Sequence, residues 1–472
     1  MDKENIKLKF CEFTEILKKI LSSKYFPFLT AVLSLVSHYI GWDIVLYYYF
    51  AITGILMIFL LDDLTPIISS LIFIGVSISL KNTPTRQISN PDYYSTPAIY
   101  IQIVIVAGLL ISAAVYRLIK TIKDKKFKLT PMFFGMCGFA FILLINGVFS
   151  YDYNFINLLF GFILAIIIIG IYSALKDNIK LDSEGFERIA YGFFALSLIL
   201  VIELIVAYAT IDNLFVDGNI NRWNLYFGWG DYNTYGLRLV MCLPAIIYLA
   251  GRKNLGFVYT LYSFVLFVAV FFSCSRQTMV GGVIIYLLCV TTLFIKGKNR
   301  VANMCVLSVA AVAVIILVGI YHKSVFNFFK IIFDNFIVNG ELDGSGRMRI
   351  WREAIGYFKE NPFFGSGFFV DFSYEDRSTF IPKMCHNTVL QLLGSCGIIG
   401  LAVYTMHRTQ TVLSFFKNVT VERVFIVATI LSILILSLLD HHLFNIFPTI
   451  IYSALIAVLE KSEERTKSVK YA

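Results

Sequence analysis

The chain has 472 residues, of which 58% are hydrophobic and only 15% are charged, whereas about 25% of the residues in a soluble domain are charged. This composition excludes an ordinary soluble protein and predicts an all-α, polytopic membrane protein, because helices satisfy their backbone hydrogen bonds inside lipid. The net charge of +9 is explained by the basic cytoplasmic loops typical of membrane proteins, so the lipid bilayer is the expected partner and nucleic acid is not.

Apolar runs of roughly 20 residues, the length that crosses a bilayer, follow one another along most of the chain. They predict about fourteen transmembrane helices. These are 25–41, 44–61, 64–80, 98–116, 131–150, 155–175, 190–209, 234–250, 255–272, 278–295, 301–321, 388–404, 424–439 and 444–459.

The spans divide the chain into five predicted regions: a cytoplasmic segment at 1–24, a membrane domain at 25–321, a large external loop at 322–387, C-terminal membrane helices at 388–459 and a cytoplasmic tail at 460–472. The first region mixes acids with lysines and has no small-residue cleavage site, so we do not expect a signal peptide. No internal repeat is evident.

Basic residues alternate from one connection to the next. If the N-terminus is cytoplasmic, the lysine cluster at 120–128, the pair Arg252-Lys253, the connection 296–300 and the tail at 461–470 all fall on the cytoplasmic side. Because short cytoplasmic loops carry an excess of Lys and Arg, this alternation predicts that both termini are cytoplasmic.

The predicted external loop at 322–387 is too long to be a simple connection, and loops of that length are usually functional or disordered. Its many aromatic residues argue against disorder. Apolar residues at helical spacing from Met348 to Lys359 predict an amphipathic helix that ends at Asn361-Pro362. A second helix is predicted from Val325 to Ile337, and both are expected on the outer membrane surface.

Two arginines lie within or beside predicted spans, where an ionisable group is costly and is by default a functional hypothesis. Arg276 follows Ser273-Cys274-Ser275, and Arg238 lies early in the span that begins near 234. The planar guanidinium group matches phosphate oxygens, so both are candidates for an anion site. The alternative is that each side chain extends to the interface.

His386 is the candidate proton acceptor, because it lies where the polar loop re-enters the membrane and histidine titrates near neutral pH. Asn387 follows it directly and is expected to orient its ring. Asp440 with His441-His442 is a rival catalytic or metal site. The eight cysteines show no metal spacing, and most of them lie in apolar runs and are expected to be buried hydrophobes. Cys385 is the exception and stays open as a catalytic thiol.

These pieces occur in an order that resembles the O-antigen polymerase and O-antigen ligase superfamily of bacterial membrane glycosyltransferases. The resemblance covers roughly 220–404 and rests on the order and spacing of the motifs, since none of them is specific alone. The motifs are Asp231-Tyr232-Asn233 before Arg238, Ser275-Arg276, Gly346-Arg347 with Trp351, Asn361-Pro362, Gly365-Ser366-Gly367 and His386-Asn387.

The resemblance implies a glycosyltransferase that acts on a glycan linked to undecaprenyl diphosphate at the outer face of the bacterial inner or cytoplasmic membrane. It implies no cofactor and no metal, an acceptor glycan as second substrate, and a chain-length regulator protein as a further candidate partner. Carried over to this chain, Arg276 and Arg347 would hold the diphosphate and His386 would be the general base. Arg238 would be a third diphosphate ligand. The supporting residues would be Asn387, Arg349, Trp351 and Asn233.

Two members of the superfamily share this chemistry and differ in acceptor. A polymerase transfers the glycan to another lipid-linked repeat unit, whereas a ligase transfers it to lipid A core or, in related oligosaccharyltransferases, to a protein. The long loop and the number of predicted spans favour a polymerase. From a different class, a transporter or flippase of lipid-linked oligosaccharide would place its arginines along a transmembrane path, whereas these lie toward one side. A purely structural membrane protein is the remaining alternative.

Overall fold

The computed structural model describes residues 3–77, 97–151, 153–212, 214–216, 219–220, 225, 227–333, 347–369 and 384–470. Over these residues the chain forms seventeen α-helices and one pair of two-residue antiparallel strands, β1 (Phe215–Val216) and β2 (Asn219–Ile220). The predicted all-α membrane fold is therefore confirmed.

The helices follow the chain as α1 (Lys3–Leu21), α2 (Phe26–Ile40), α3 (Asp43–Leu60), α4 (Thr65–Phe73), α5 (Pro97–Lys123), α6 (Pro131–Leu144), α7 (Phe155–Lys176), α8 (Ser183–Thr210), α9 (Tyr232–Arg252), α10 (Gly256–Phe272), α11 (Arg276–Lys296), α12 (Arg300–Ile320), α13 (His322–Phe333), α14 (Arg347–Glu360), α15 (Thr388–Lys417), α16 (Val421–Ser437) and α17 (Ile446–Lys470).

Each of the fourteen predicted apolar runs coincides with one of these helices, from α2 to α12 and from α15 to α17. Among the described residues, six helices are long and apolar enough to cross a membrane by length and composition: α7, α8, α9, α11, α12 and α15. A bent pair made by α1 and α2, at 78° to each other, raises the number to seven. Other apolar helices, among them α6 and α10, are shorter.

The centre of the bundle is α9, in which every residue from Tyr235 to Gly251 is buried. It packs against α8, α10, α11 and α16. By contrast, only 6% of the apolar window of α12 is buried inside the protein, as expected of a helix at the edge of a bundle whose apolar surface faces lipid.

The predicted amphipathic helix at 348–359 is present as α14, and it ends at Glu360, directly before Asn361-Pro362 as expected. The second predicted loop helix corresponds to α13 up to Phe333, and its last four residues lie outside the described part of the chain. The large loop also includes 334–346 and 370–383, with the predicted motif residues Gly344 to Gly346, which likewise lie outside it.

The predicted span 388–404 is part of a longer helix, α15, that is interrupted at Gly397 (φ +68°). The turn after α14 packs against this interruption and forms hydrogen bonds with its backbone groups. Ser366 donates its backbone N–H to the Gly394 carbonyl (2.8 Å), and Ile398 donates to the Pro362 carbonyl (2.9 Å). A Cβ atom at Gly397 would overlap the backbone of Phe363. Glycine is thus required here for both its backbone angle and its lack of a side chain.

This arrangement explains two of the sequence motifs in structural terms. Gly365 (φ +70°) packs so closely on the backbone of Ser395 that it has no room for a Cβ atom. Asn361 donates its side-chain amide to the Ser366 hydroxyl (2.9 Å) and so closes the turn. The Asn361-Pro362 and Gly365-Ser366-Gly367 motifs therefore anchor the turn after α14 to α15, ahead of the segment that carries His386.

Candidate functional site

The site is built where the N-terminal ends of α9, α11 and α15 meet the connection between α16 and α17. His386 lies in the short segment before α15 and adopts a left-handed backbone conformation (φ +51°), which is uncommon for a residue other than glycine and which recurs at functional sites. The neighbouring Cys385 carbonyl accepts a hydrogen bond from the Trp351 indole N–H (2.9 Å). Trp351 thereby joins α14 to the segment that carries His386.

The His386 ring is held by Asp440, not by Asn387 as the sequence suggested. Nδ1 of His386 lies 2.8 Å from Oδ1 of Asp440. The Asn387 side chain instead caps α15, accepting hydrogen bonds from the backbone N–H groups of Val389 (2.9 Å) and Leu390 (3.0 Å). Asn387 therefore positions the start of the helix, and a carboxylate 54 residues further along the chain orients the imidazole.

Asp440 is the hub of the site. Its side chain is only 5% exposed, its Oδ1 lies 2.7 Å from Nδ1 of His441, and its Oδ2 accepts a hydrogen bond from Nε2 of Gln277 (3.1 Å). The predicted rival site, Asp440 with His441-His442, is thus part of the same cluster as His386.

The electrostatics of the cluster favour an ionised Asp440. Burial raises the pKa of the Asp440 carboxyl, but the hydrogen bond from His386 and the nearby rings of His441 and His442 outweigh it, so the pKa lies below its ordinary value. Burial lowers the pKa of His442 to about 4 despite the Asp440 charge. With Asp440 ionised, Nδ1 of His386 carries the proton and Nε2 is left as a hydrogen-bond acceptor.

The N-terminus of α11 joins this cluster through Gln277, the residue that follows Arg276. The Gln277 side chain also lies 3.2 Å from Nε2 of His442. On the other side of Arg276, the Ser275 hydroxyl donates to Oδ1 of Asn233 (2.7 Å). Cys274 has a left-handed backbone (φ +57°), so the chain turns sharply just before the arginine. Arg276 is half-buried at this turn.

Arg238 lies one to two turns into α9 and is only 4% exposed. One of its guanidinium nitrogens donates to the Trp229 carbonyl, and the guanidinium lies 5.2 Å from the centre of the Phe447 ring. Arg238 is therefore enclosed by the turn before α9 and by the start of α17. Its side chain does not extend to an interface, as the alternative from the sequence suggested.

The turn before α9 is stabilised by a second buried acid, Glu203 of α8, which is 2% exposed. Its carboxylate accepts the Tyr39 hydroxyl (2.6 Å) and the backbone N–H of Gly228 (3.3 Å), and lies 3.5 Å from Nε2 of His38. Because Trp229 follows Gly228, this buried cluster fixes the carbonyl that accepts from Arg238.

The two arginines of α14 differ in their surroundings. Arg347 begins the helix and is half-buried. It lies one turn before Trp351, on the same helical face, which is the face that contacts Cys385. The side chain of Arg349 is 72% exposed, with Nε 3.8 Å from a carboxylate oxygen of Glu353. Arg347 thus lies on the face of α14 that carries Trp351, whereas Arg349 faces solvent.

Cys385 is 9% exposed, and burial with the nearby Glu353 raises the pKa of its thiol to about 12. The thiolate is the nucleophilic form of cysteine. This environment therefore disfavours the alternative of a catalytic thiol.

Asp440 and Gln277 were the two functional candidates that the sequence did not connect to His386. Asp440 stood out because it precedes two histidines, but nothing in the local pattern shows which histidine it would orient. Gln277 had only its position beside Arg276 as a signal.

These features define a polytopic helical membrane protein with a histidine–aspartate pair and with arginines in the first two turns of α9, α11 and α14. Residues 261–405 match the family model of the O-antigen ligases, Wzy_C. The match confirms the resemblance of this region to the superfamily of O-antigen ligases and polymerases. It includes Arg276, Arg347 and His386. No curated protein matches the chain significantly.

Proposed function

We infer that this protein transfers a glycan from undecaprenyl diphosphate to an acceptor sugar hydroxyl, and that it acts as a polymerase of surface polysaccharide repeat units such as O-antigen. The observation that carries this proposal is the chain of contacts from His386 through Asp440 to Gln277, next to Arg276. In this proposal His386 supplies the base and Arg276, the residue before Gln277, supplies a phosphate-binding cation, and both lie in the region that matches the O-antigen ligase model.

In the proposed reaction, the acceptor hydroxyl oxygen attacks the anomeric carbon of the donor glycan. Nε2 of His386 takes the hydroxyl proton as the new glycosidic bond forms, and Asp440 stabilises the imidazolium that results. The bond from the anomeric carbon to the diphosphate breaks, and the diphosphate leaves with the bonding electrons. Direct displacement inverts the anomeric centre.

The leaving diphosphate gains negative charge as its bond breaks, so fixed cations lower the barrier most when they already point at that position. Arg276 and Arg347 fill this role in the proposal. Arg238 is a third diphosphate ligand that is held in advance by the Trp229 carbonyl. Asn233 supports Arg276 through Ser275, and Trp351 keeps the His386 segment against α14.

The proposed location is the bacterial inner or cytoplasmic membrane, with both termini cytoplasmic and the site on the outer side, where a lipid-linked glycan is presented. This orientation is supported by the alternation of basic connections along the sequence.

The test compares the full chain, purified in a membrane mimic, with His386→Ala, and uses a lipid-diphosphate-linked repeat unit as the only substrate. Longer glycans on gels are expected from the wild type, and a rate about 10²–10⁴-fold lower from His386→Ala, the usual contribution of a general base. His322→Ala is the matched control, since His322 is exposed at the start of α13 and its ring lies near the Gly319 carbonyl.

The same assay separates the acceptors. If the wild type leaves the repeat unit unextended but transfers it when lipid A core is added, the protein is a ligase, the activity for which the matched family is described. Full activity of His386→Ala with either acceptor would show that the assignment of the base is wrong.

A further inference from the structure

Three potential metal ligands converge at the proposed site. Ligand atoms of His386, Asp440 and His441 all lie within 4.8 Å of one another. The Nδ1 atoms of the two histidines approach the same carboxylate oxygen of Asp440, at 2.8 Å and 2.7 Å. The proposed transfer reaction uses the imidazole of His386 alone, so it gives no role to the second imidazole at this oxygen.

Two imidazoles and one carboxylate form a ligand set that zinc commonly uses, with one further position left open. Zinc bonds of 2.0–2.2 Å in a tetrahedral arrangement hold the ligand atoms roughly 3.3 Å apart. The two nitrogens would therefore have to withdraw from the oxygen by about half an ångström. All three residues lie in the connections before α15 and between α16 and α17, rather than within a long helix, so a shift of this size requires no helix to move.

The surroundings also suit an ion. The side chains of His386 and His441 are 34% and 24% exposed, which leaves a path for entry. Gln277 donates to the other carboxylate oxygen of Asp440, Oδ2 (3.1 Å), and the backbone N–H of His441 donates to Oδ1 (2.9 Å). Outer contacts of this kind orient metal ligands and increase affinity.

We propose that His386, Asp440 and His441 form an inhibitory zinc site. Zinc would take Nδ1 of His386 in place of the hydrogen bond to Asp440, and the ring proton would move to Nε2. An imidazole protonated at Nε2 cannot accept the proton of the acceptor hydroxyl, so bound zinc stops transfer. Only this inhibitory effect rests on the proposed function, because binding of the ion depends on the ligand geometry alone. Magnesium, which prefers oxygen ligands, should not bind.

The binding test uses the full chain, purified free of metal, with zinc chloride titrated against a chromophoric chelator. We expect the wild type to bind one equivalent of zinc that magnesium chloride does not displace. His441→Ala and His386→Ala should each weaken this site by more than about 100-fold, since even outer-shell changes cost 10–100-fold. His322→Ala, which removes an exposed histidine elsewhere, should bind like the wild type. Equal zinc binding by wild type and His441→Ala would overturn the proposal.

His441→Gln serves as a second variant if His441→Ala does not purify as a monodisperse protein, because it keeps a polar side chain and lacks the imidazole. In the activity assay, zinc is added to the wild type during glycan transfer and a chelator is added afterwards. We expect zinc to inhibit transfer and the chelator to restore it. If zinc binds through His441 but no variant transfers glycan, the proposed function fails and the site stands. If transfer depends on His386 while zinc does not bind or does not inhibit, the inhibitory site is refuted.

Discussion

Replacing Asp440 by asparagine tests the central pair of the site with almost no change in shape. The amide oxygen of the new side chain could still accept a hydrogen bond from Nδ1 of His386, but the negative charge that stabilises the imidazolium would be lost. A hydrogen bond to a charged group contributes about 1.5–3 kcal/mol, which corresponds to a roughly 10–150-fold change in rate. Because the His386 side chain is 34% exposed, solvent screening favours the lower part of this range.

We therefore expect Asp440→Asn to lower kcat by about 10–100-fold, less than His386→Ala, with little change in KM for the lipid-linked donor. The assay is transfer of a lipid-diphosphate-linked repeat unit, followed over a range of donor concentrations. The double variant with His386→Ala distinguishes positioning from an independent role, since residues that act as a unit have non-additive effects.

If Asp440 acts through His386, the double variant should be no slower than His386→Ala alone. Wild-type kcat in Asp440→Asn, or a double variant whose loss is the product of the two single losses, would refute this reasoning. A variant that instead raises KM for the donor would indicate that Asp440 acts through Gln277 and Arg276, on the diphosphate side of the site.

Two further predictions concern the framework around the site. Gly397→Ala should lower the free energy of unfolding by at least about 1–3 kcal/mol, because its positive φ is costly for other residues and its Cβ would overlap backbone; thermal melting should show the loss, and Gly170→Ala, with nothing within 4 Å, should melt like the wild type. Glu203→Gln should remove a buried charged acceptor worth about 1–3 kcal/mol, loosen the turn that holds Arg238, and raise KM for the donor more than it lowers kcat. Glu184→Gln on the same helix, where the side chain is 83% exposed, is the control, and an unchanged KM in Glu203→Gln would show that the turn does not depend on the buried acid.

The sequence by itself determined the class of the molecule and most of its helices. Apolar runs long enough for a bilayer are a local property, so all fourteen predicted runs overlap helices, namely α2 to α12 and α15 to α17. Helical spacing from Met348 to Lys359 likewise predicted α14, and Asn361-Pro362 marked its end. Motif order was sufficient for the resemblance that the match at 261–405 confirms.

Only the tertiary structure decided which of the candidate residues meet. Asp440 lies 54 residues from His386 and 163 from Gln277 in the chain, and no periodicity of sequence encodes a contact over such a separation. From the sequence alone, His386 and Asp440 with His441-His442 were therefore predicted as alternative sites. Packing of α11, α15 and the α16–α17 connection makes them one cluster.

The interruption of α15 was hidden for the same reason. A run of apolar residues with glycines reads as a helix, and its break at Gly397 becomes evident only when the turn after α14 supplies the partners for the exposed backbone groups. Local chemistry thus fixed the elements and their types, and long-range packing, which satisfies buried charges and backbone groups away from water, determined the site.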